Sequence, residues 1–307
     1  MSKTNEFGYI PSSPTQSSSG NTGIFEVNDV VNLISDSQWA VQGLDVSYLV
    51  IAGGGGGSTS SSSGNRGGGG GGAGGYRNSY SSETSGGNSS TETPFFALPN
   101  TTYSVTIGGG GTAQSGQYLL EGGKGSDSTF ATITSEGGGG CETNFNGPKN
   151  GGSGAGGMHN TLSGGTGIAT QGHDGGTGNN SSGWSGGAGG GAGGVGPNGI
   201  YFQGSTAKSG GAGLSSSITG SAVTRSVGGR QGKGGASSGS ANTGQGGDGS
   251  GSNAQAGYGG SGVVILRYPN TFTATTSGLT TGGEQTDGND KYLVITAGIG
   301  GTVSWSV

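Results

Sequence analysis

Side chains able to build an ordinary core are scarce in this sequence. Only 26% of its residues are hydrophobic, against ~45–50% in a typical globular domain, so a large side-chain core is excluded. Charge is scarce as well: 9% of residues are charged and the net charge is −5. Chains that stay disordered for want of apolar residues usually carry far more net charge, which favours an ordered fold. Eleven Lys+Arg and an isoelectric point near 4.9 argue against a nucleic-acid partner. The longest apolar run, Val263-Val264-Ile265-Leu266, is far short of the ~20 residues that a membrane span needs. Residues 1–20 are polar and hold no stretch resembling a secretory signal. A lone cysteine, Cys141, excludes an intrachain disulfide. Folding in the cytosol is the expectation.

Chemistry-bearing clusters are also missing. His159 and His173 are the only histidines, and with Cys141 they give no zinc-ligand spacing. Lys124 and Lys233 lack the glycine and hydroxyl positions of a phosphate loop. The 16 carboxylates are scattered, with no pair suggesting glycoside hydrolysis. The sequence therefore predicts no enzyme, no cofactor and no metal site.

What the chain has instead is glycine, 82 of 307 residues, about four times the usual share of ~7%. Each glycine in regular structure costs roughly 0.5–1 kcal/mol relative to alanine, so the total is on the order of tens of kcal/mol. Backbone hydrogen bonds, at a net ~0.5–1.5 kcal/mol each, must offset that cost. Helices and ordinary sheets do not need glycine for such bonds. Close-packed polyproline-II strands do, because they lack internal hydrogen bonds. X-Gly-Gly-X recurs at Ser185–Ala188, Ala192–Val195, Ser209–Ala212, Gln245–Asp248 and Tyr258–Ser261, a step that matches three residues per turn.

Three segments follow. Residues 1–43 read as an extended Ser/Pro arm and one short helix, with Val27, Val30, Val31 and Ile34 on one face and Trp39 after it. This segment is expected to attach the chain to a neighbour, and the apolar stripe has two readings, as a cover for the edge of the main domain or as an anchor on another protein. Residues 44–268 form the main domain, in which Val46–Ala52, Tyr103–Ile107, Phe130–Thr134 and Val263–Tyr268 alternate or cluster apolar residues and are bounded by glycine at or near at least one end. These read as strands. Residues 269–307 read as a small strand-rich C-terminal β module, with addition of its strands to the sandwich left open. The fold class expected is all-β: a jelly-roll-like β-sandwich with a polyproline-II or polyglycine-II bundle and one N-terminal helix.

Tyr48-Leu49-Val50-Ile51-Ala52 followed by Gly53–Gly57, and Gly259-Gly260-Ser261-Gly262 followed by Val263–Tyr268, frame the glycine-rich part. With Gly125–Phe130 and Gly213–Gly220 between them, they resemble the glycine-rich domain of marine and cyanobacterial phage virion proteins. The central part is similar to phage fibre adhesins in which polyglycine-II strands pack in a bundle and end loops bind the host receptor. The resemblance implies a location on the virion surface and contacts with other virion proteins through residues 1–43. It also implies a host cell-surface glycan or protein as receptor, with a homotrimer as one possible assembly. A capsid-surface decoration protein or rigid spacer is the alternative, and an ice-binding bundle is a third. Large rings have little room inside a backbone-packed bundle. Tyr76, Tyr80, Phe145, Trp184, Tyr201 and Phe202 are therefore the candidates for receptor contact, since rings on rigid turns bind with little entropy loss. Rings that merely close the bundle ends are the competing expectation for about half of them.

Overall fold

The computed structural model describes residues 43–59, 67–113, 121–141, 149–158, 163–179, 185–200, 207–232, 236–251 and 254–307, and the backbone of four short strands nearer the N-terminus. Those four are β1 (Lys3–Asn5), β2 (Gly8–Ile10), β3 (Thr15–Ser17) and β4 (Gly20–Thr22). They pair as two antiparallel hairpins, β1 with β2 and β3 with β4, where the sequence predicted an extended arm. The expected helix at Val27–Ile34 and Trp39 lie outside the described residues.

The strands that follow are β5 (Leu44–Ile51), β6 (Tyr76–Asn78), β7 (Phe95–Ala97), β8 (Tyr103–Thr106), β9 (Ser128–Phe130) and β10 (Ile133–Ser135). Then come β11 (Leu214–Ser216), β12 (Val223–Arg225), β13 (Val263–Pro269), β14 (Thr273–Ser277), β15 (Thr280–Asp287), β16 (Asp290–Ala297) and β17 (Gly301–Ser306). One sheet has the order β15-β16-β13-β5-β6, with β7 against the start of β5, and another has the order β10-β9-β8-β17-β14. All ladders between these strands are antiparallel, and helix among the described residues is limited to one 3-10 turn at Gly86–Asn88.

Alternation along the central strands explains the core. In β5, Leu44, Val46, Tyr48 and Val50 enter one apolar cluster, while Leu49 and Ile51 enter another on the opposite face. β13 does the same, sending Val264, Leu266 and Tyr268 one way and Val263 and Ile265 the other. A strand covered on both faces reads as a continuous apolar run, which is why Val263–Leu266 stands out in so polar a chain. The first cluster also takes Val105, Phe130, Ile133, Val303 and Trp305 from the second sheet. The smaller cluster takes Tyr76, Ala192 and Ile218.

One sequence expectation changes and one open alternative is decided. Phe130–Thr134 is not one strand but a tight hairpin that pairs Phe130 with Ile133, turning at Ala131 with φ +49°. Residues three apart on a straight strand point to opposite faces. Only by turning can Phe130 and Ile133 both be buried against the same cluster. For residues 269–307 the structure shows the alternative that the sequence left open. β16 pairs with β13 and β17 pairs with β8, so the tail supplies strands to both sheets. Trp305, 1% exposed, meets the rings of Tyr103, Phe130 and Tyr268.

Beyond the sheets, the glycine runs bond to one another with a step of three. In residues 53–58, Gly53 and Gly56 donate to Ser126 and Gly123, Gly54 and Gly57 to Gly260 and Gly257, and Gly55 and Ser58 to Gly72 and Gly69. Three faces thus serve three neighbours in rotation, the repeat expected at three residues per turn. The run 68–75 is bonded on every side. It donates to 244–250, 187–190 and 136–139, and it accepts from 52–58, 229–232 and 153–156, six neighbouring runs among the described residues. Apart from the Ala73 methyl, no side chain stands in that run. A Cβ on Gly71 would stand 2.1 Å from the Gly55 carbonyl oxygen.

Candidate binding surface

The bundle has two ends. Residues 52, 75, 108, 126, 226 and 262 adjoin strands of the sheets or the β11–β12 hairpin. The registers put 58, 68, 141, 157, 176, 187, 232 and 250 at the other, distal end, where Ser250 N donates to Ser58, Gly68 N to Ser250 and Gly232 N to Gly68. Gly157 bonds to Gly176 and Gly187 to Gly157 at the same level. Runs that leave the described residues at 59, 113, 141, 158, 179, 200, 232 and 251 do so at this distal end.

The six predicted aromatics separate accordingly. Tyr76 is a correction. It lies in β6 at the sheet end, 0% exposed, in the smaller cluster, because β6 pairs with β5 and turns its first side chain inward. Tyr80 also belongs to the sheet end, where its partly buried ring packs on the same cluster beneath the Arg267 guanidinium, 5.3 Å from the ring centre. Phe145, Trp184, Tyr201 and Phe202 lie outside the described residues, as does His159. The described residues that flank two of their segments are bonded together. Ser185 Oγ donates to the Ile200 carbonyl at 2.6 Å, Asn179 Nδ2 donates to the Gly199 carbonyl at 3.2 Å, and Asn179 N donates to the Ser185 carbonyl at 2.8 Å. Trp184 therefore precedes, and Tyr201 follows, residues that the fold fastens to each other. The segment carrying Phe145 starts from a different run, at Cys141, which bonds to Gly56.

Polar side chains that the sequence did not single out close the bundle's flanks. Oxygens of Asp127, Asn150, Asp174 and Asn198 accept from the backbone N–H groups of Gly137, Thr166, Gly167 and Thr177. Asp248 accepts from Arg230 N, Arg230 Nε and Nη2, and Ser237 N. In each case a side-chain oxygen takes a backbone N–H where a neighbouring run would otherwise supply the carbonyl. A sequence signal exists, since all five are Asp or Asn beside or within the glycine runs. Their short side chains commonly bond nearby backbone.

At the sheet end, Arg267 is buried and paired with Asp287 and Asp290, fastening β13 to the β15–β16 hairpin. Glu92 accepts from the Tyr48 hydroxyl, Arg77 Nε and Ser85 Oγ. Burial first, then the bond to Glu92, pushes the Tyr48 hydroxyl well above its ordinary pKa. Burial does the same to Tyr76, and burial followed by the bond to Glu284 to Tyr268. Cys141 is buried with Ala155 and Met158 and donates its thiol to the Gly156 carbonyl at 3.1 Å. His173 meets Asn88 at 3.1 Å. Among the described residues, no three His, Cys, Asp or Glu gather as metal ligands would.

No curated protein matches the chain. A family model described as a glycine-rich domain matches residues 34–269, from ahead of β5 to the end of β13. The motifs at both ends of the bundle fall inside that span, and the chain belongs to this glycine-rich domain family.

Proposed function

We propose that this protein is a non-enzymatic part of a phage particle, a tail fibre or fibre tip that holds a host-surface glycan or protein at the distal end of its bundle. In this proposal the two sheets form a sandwich, and the glycine runs form a polyglycine-II bundle that stands on it as a stiff shaft. Within residues 1–43, the Ser/Pro arm of residues 1–20 attaches the protein to its neighbours in the virion, because the described domain begins at β5 on the sheet end, away from the distal segments. The observation that carries the proposal is the fastening of Ser185 to Ile200. It joins the residue that follows Trp184 to the residue that precedes Tyr201 and Phe202, and so supports one shared aromatic surface. Glycine runs expose mainly backbone and cannot discriminate partners; aromatic rings on anchored turns can.

The test is Trp184→Ala alongside the Tyr201/Phe202 double alanine variant, with melting temperature and host adsorption measured on each. The expected result is unchanged melting and adsorption weakened about thirtyfold, the effect of losing an anchor worth ~2 kcal/mol. Lower melting with unchanged adsorption per folded particle would assign the rings to closing the bundle. Unchanged adsorption by folded, incorporated variants would favour a decoration protein or spacer on the capsid surface, which a rigid bundle would also serve.

A further inference from the structure

We infer that the outer face of β7, formed by Phe96 and Leu98, is the seat of this chain's own segment 27–39, with Trp39 as its anchor. Phe95 packs on the main cluster and Ala97 is buried. Alternation along the strand therefore turns Phe96 outward, where it is 56% exposed, and sets Leu98, 36% exposed, on the same side. Two large apolar side chains together are unusual on a surface to which this sequence contributes so few.

The occupant follows from where the described domain begins. Gly43 lies directly on the Phe96 ring: a Cβ at that position would stand 2.2 Å from Cζ and 2.7 Å from Cε1. Leu44–Val46 then pair with β7, so the described domain begins alongside this face. Trp39 is four peptide steps from Gly43, at most about 14 Å of chain. That tether keeps the indole within reach of Phe96. Val27, Val30, Val31 and Ile34 supply a further apolar set at helical spacing. A short tether corresponds to an effective concentration of order millimolar, a level that a second copy or a foreign protein must exceed to compete. The glycine-rich family match also begins at residue 34, so residues 34–42 belong to the same family unit as the face they would cover.

The test uses the full chain. Trp39→Ser, Phe96→Ser and the double variant are unfolded in urea, and the emission of Trp39 is taken as the difference between the full chain and Trp39→Phe. Seated residues are coupled, so each single change should shift the unfolding equilibrium about tenfold and the pair no further than the larger single. Trp39 emission should be that of a buried indole and become that of a water-exposed one in Phe96→Ser. Leu98→Ser repeats the measurement at a second position of the same face. Additive effects, or Trp39 emission that is already water-like or does not respond to Phe96→Ser, would overturn the inference. A dimer in sedimentation that Phe96→Ser dissociates would overturn it too, and assign the face to a second copy.

Discussion

The sheet end and the glycine bundle solve the same problem with opposite materials. At the sheet end, a tryptophan, tyrosines, a phenylalanine and aliphatic residues meet between two sheets, and stability comes from apolar area removed from water, ~25 cal/mol per Å². In the bundle, Gly71 has backbone where a core would have side chains, and stability comes from many small hydrogen-bond gains. The first kind of core tolerates change by repacking, since side chains can rotate and trade volume. The second cannot. Its walls are backbone carbonyls already engaged in hydrogen bonds, and moving one run moves the neighbours bonded to it in rotation.

That contrast can be broken at a single methyl group. Gly71→Ala places a Cβ 2.1 Å from the Gly55 carbonyl oxygen and 2.6 Å from its carbon, with no side chain to step aside. The expected loss exceeds ~4–5 kcal/mol, the exceptional class for point changes, and chemical denaturation or failure to purify folded protein would show it. A loss under ~1 kcal/mol would mean that the bundle is softer than its bonding implies. Trp305→Ala tests the other core. Its loss should fall at about 3–5 kcal/mol, as for other large-to-small core changes, leaving a weakened but folded chain measurable by urea unfolding. A smaller or equal effect of Gly71→Ala would reverse the comparison.

Alkali should reach the sheet end first. The hydroxyls of Tyr48, Tyr76 and Tyr268 are raised above the ordinary value, with burial the largest cause. All three belong to the sheet-end clusters. A raised pKa means that the folded state holds the proton more tightly, so this stability is complete below the unfolded tyrosine value of ~10 and falls as pH rises past it. Unfolding followed against pH should show stability declining above about pH 10, and Tyr268→Phe should flatten that decline. The smallest effect is expected at the bundle's rim. A Cβ placed on Gly109 would meet nothing within 4 Å, so Gly109→Ala should leave stability within about 0.5 kcal/mol or raise it slightly by restricting the unfolded chain. Set beside Gly71→Ala, it separates position in the bundle from glycine as such.

Much of this architecture was legible in the residues. The runs Val46–Ala52 and Val263–Tyr268 announced the paired central strands, since β-branched and aromatic residues abutting a glycine run have few other uses. The step of three in X-Gly-Gly-X anticipated the rotation of hydrogen-bond partners. What escaped was decided by pairing. Phe130 and Ile133 look like one alternating strand until a common core requires both on one face. Tyr76 follows Gly74-Gly75 just as a loop aromatic would, and only its ladder with Ile51 shows that it points inward. For the candidate surface, the sequence named Trp184, Tyr201 and Phe202 but could not relate them. The Ser185–Ile200 bond that joins their bases depends on which runs lie side by side.

Composition by itself determined that no large side-chain core could form, that backbone must bond to backbone, and that glycine must fill the places where runs approach most closely. Those are local consequences of what each residue can bury or donate. Tertiary structure alone decided which runs are neighbours, which strands residues 269–307 pair with, and which glycines are irreplaceable. Hydrogen bonds between glycines carry no side-chain code. Gly71 and Gly109 are the same residue in similar sequence, and only the enclosure of one and the exposure of the other distinguish them.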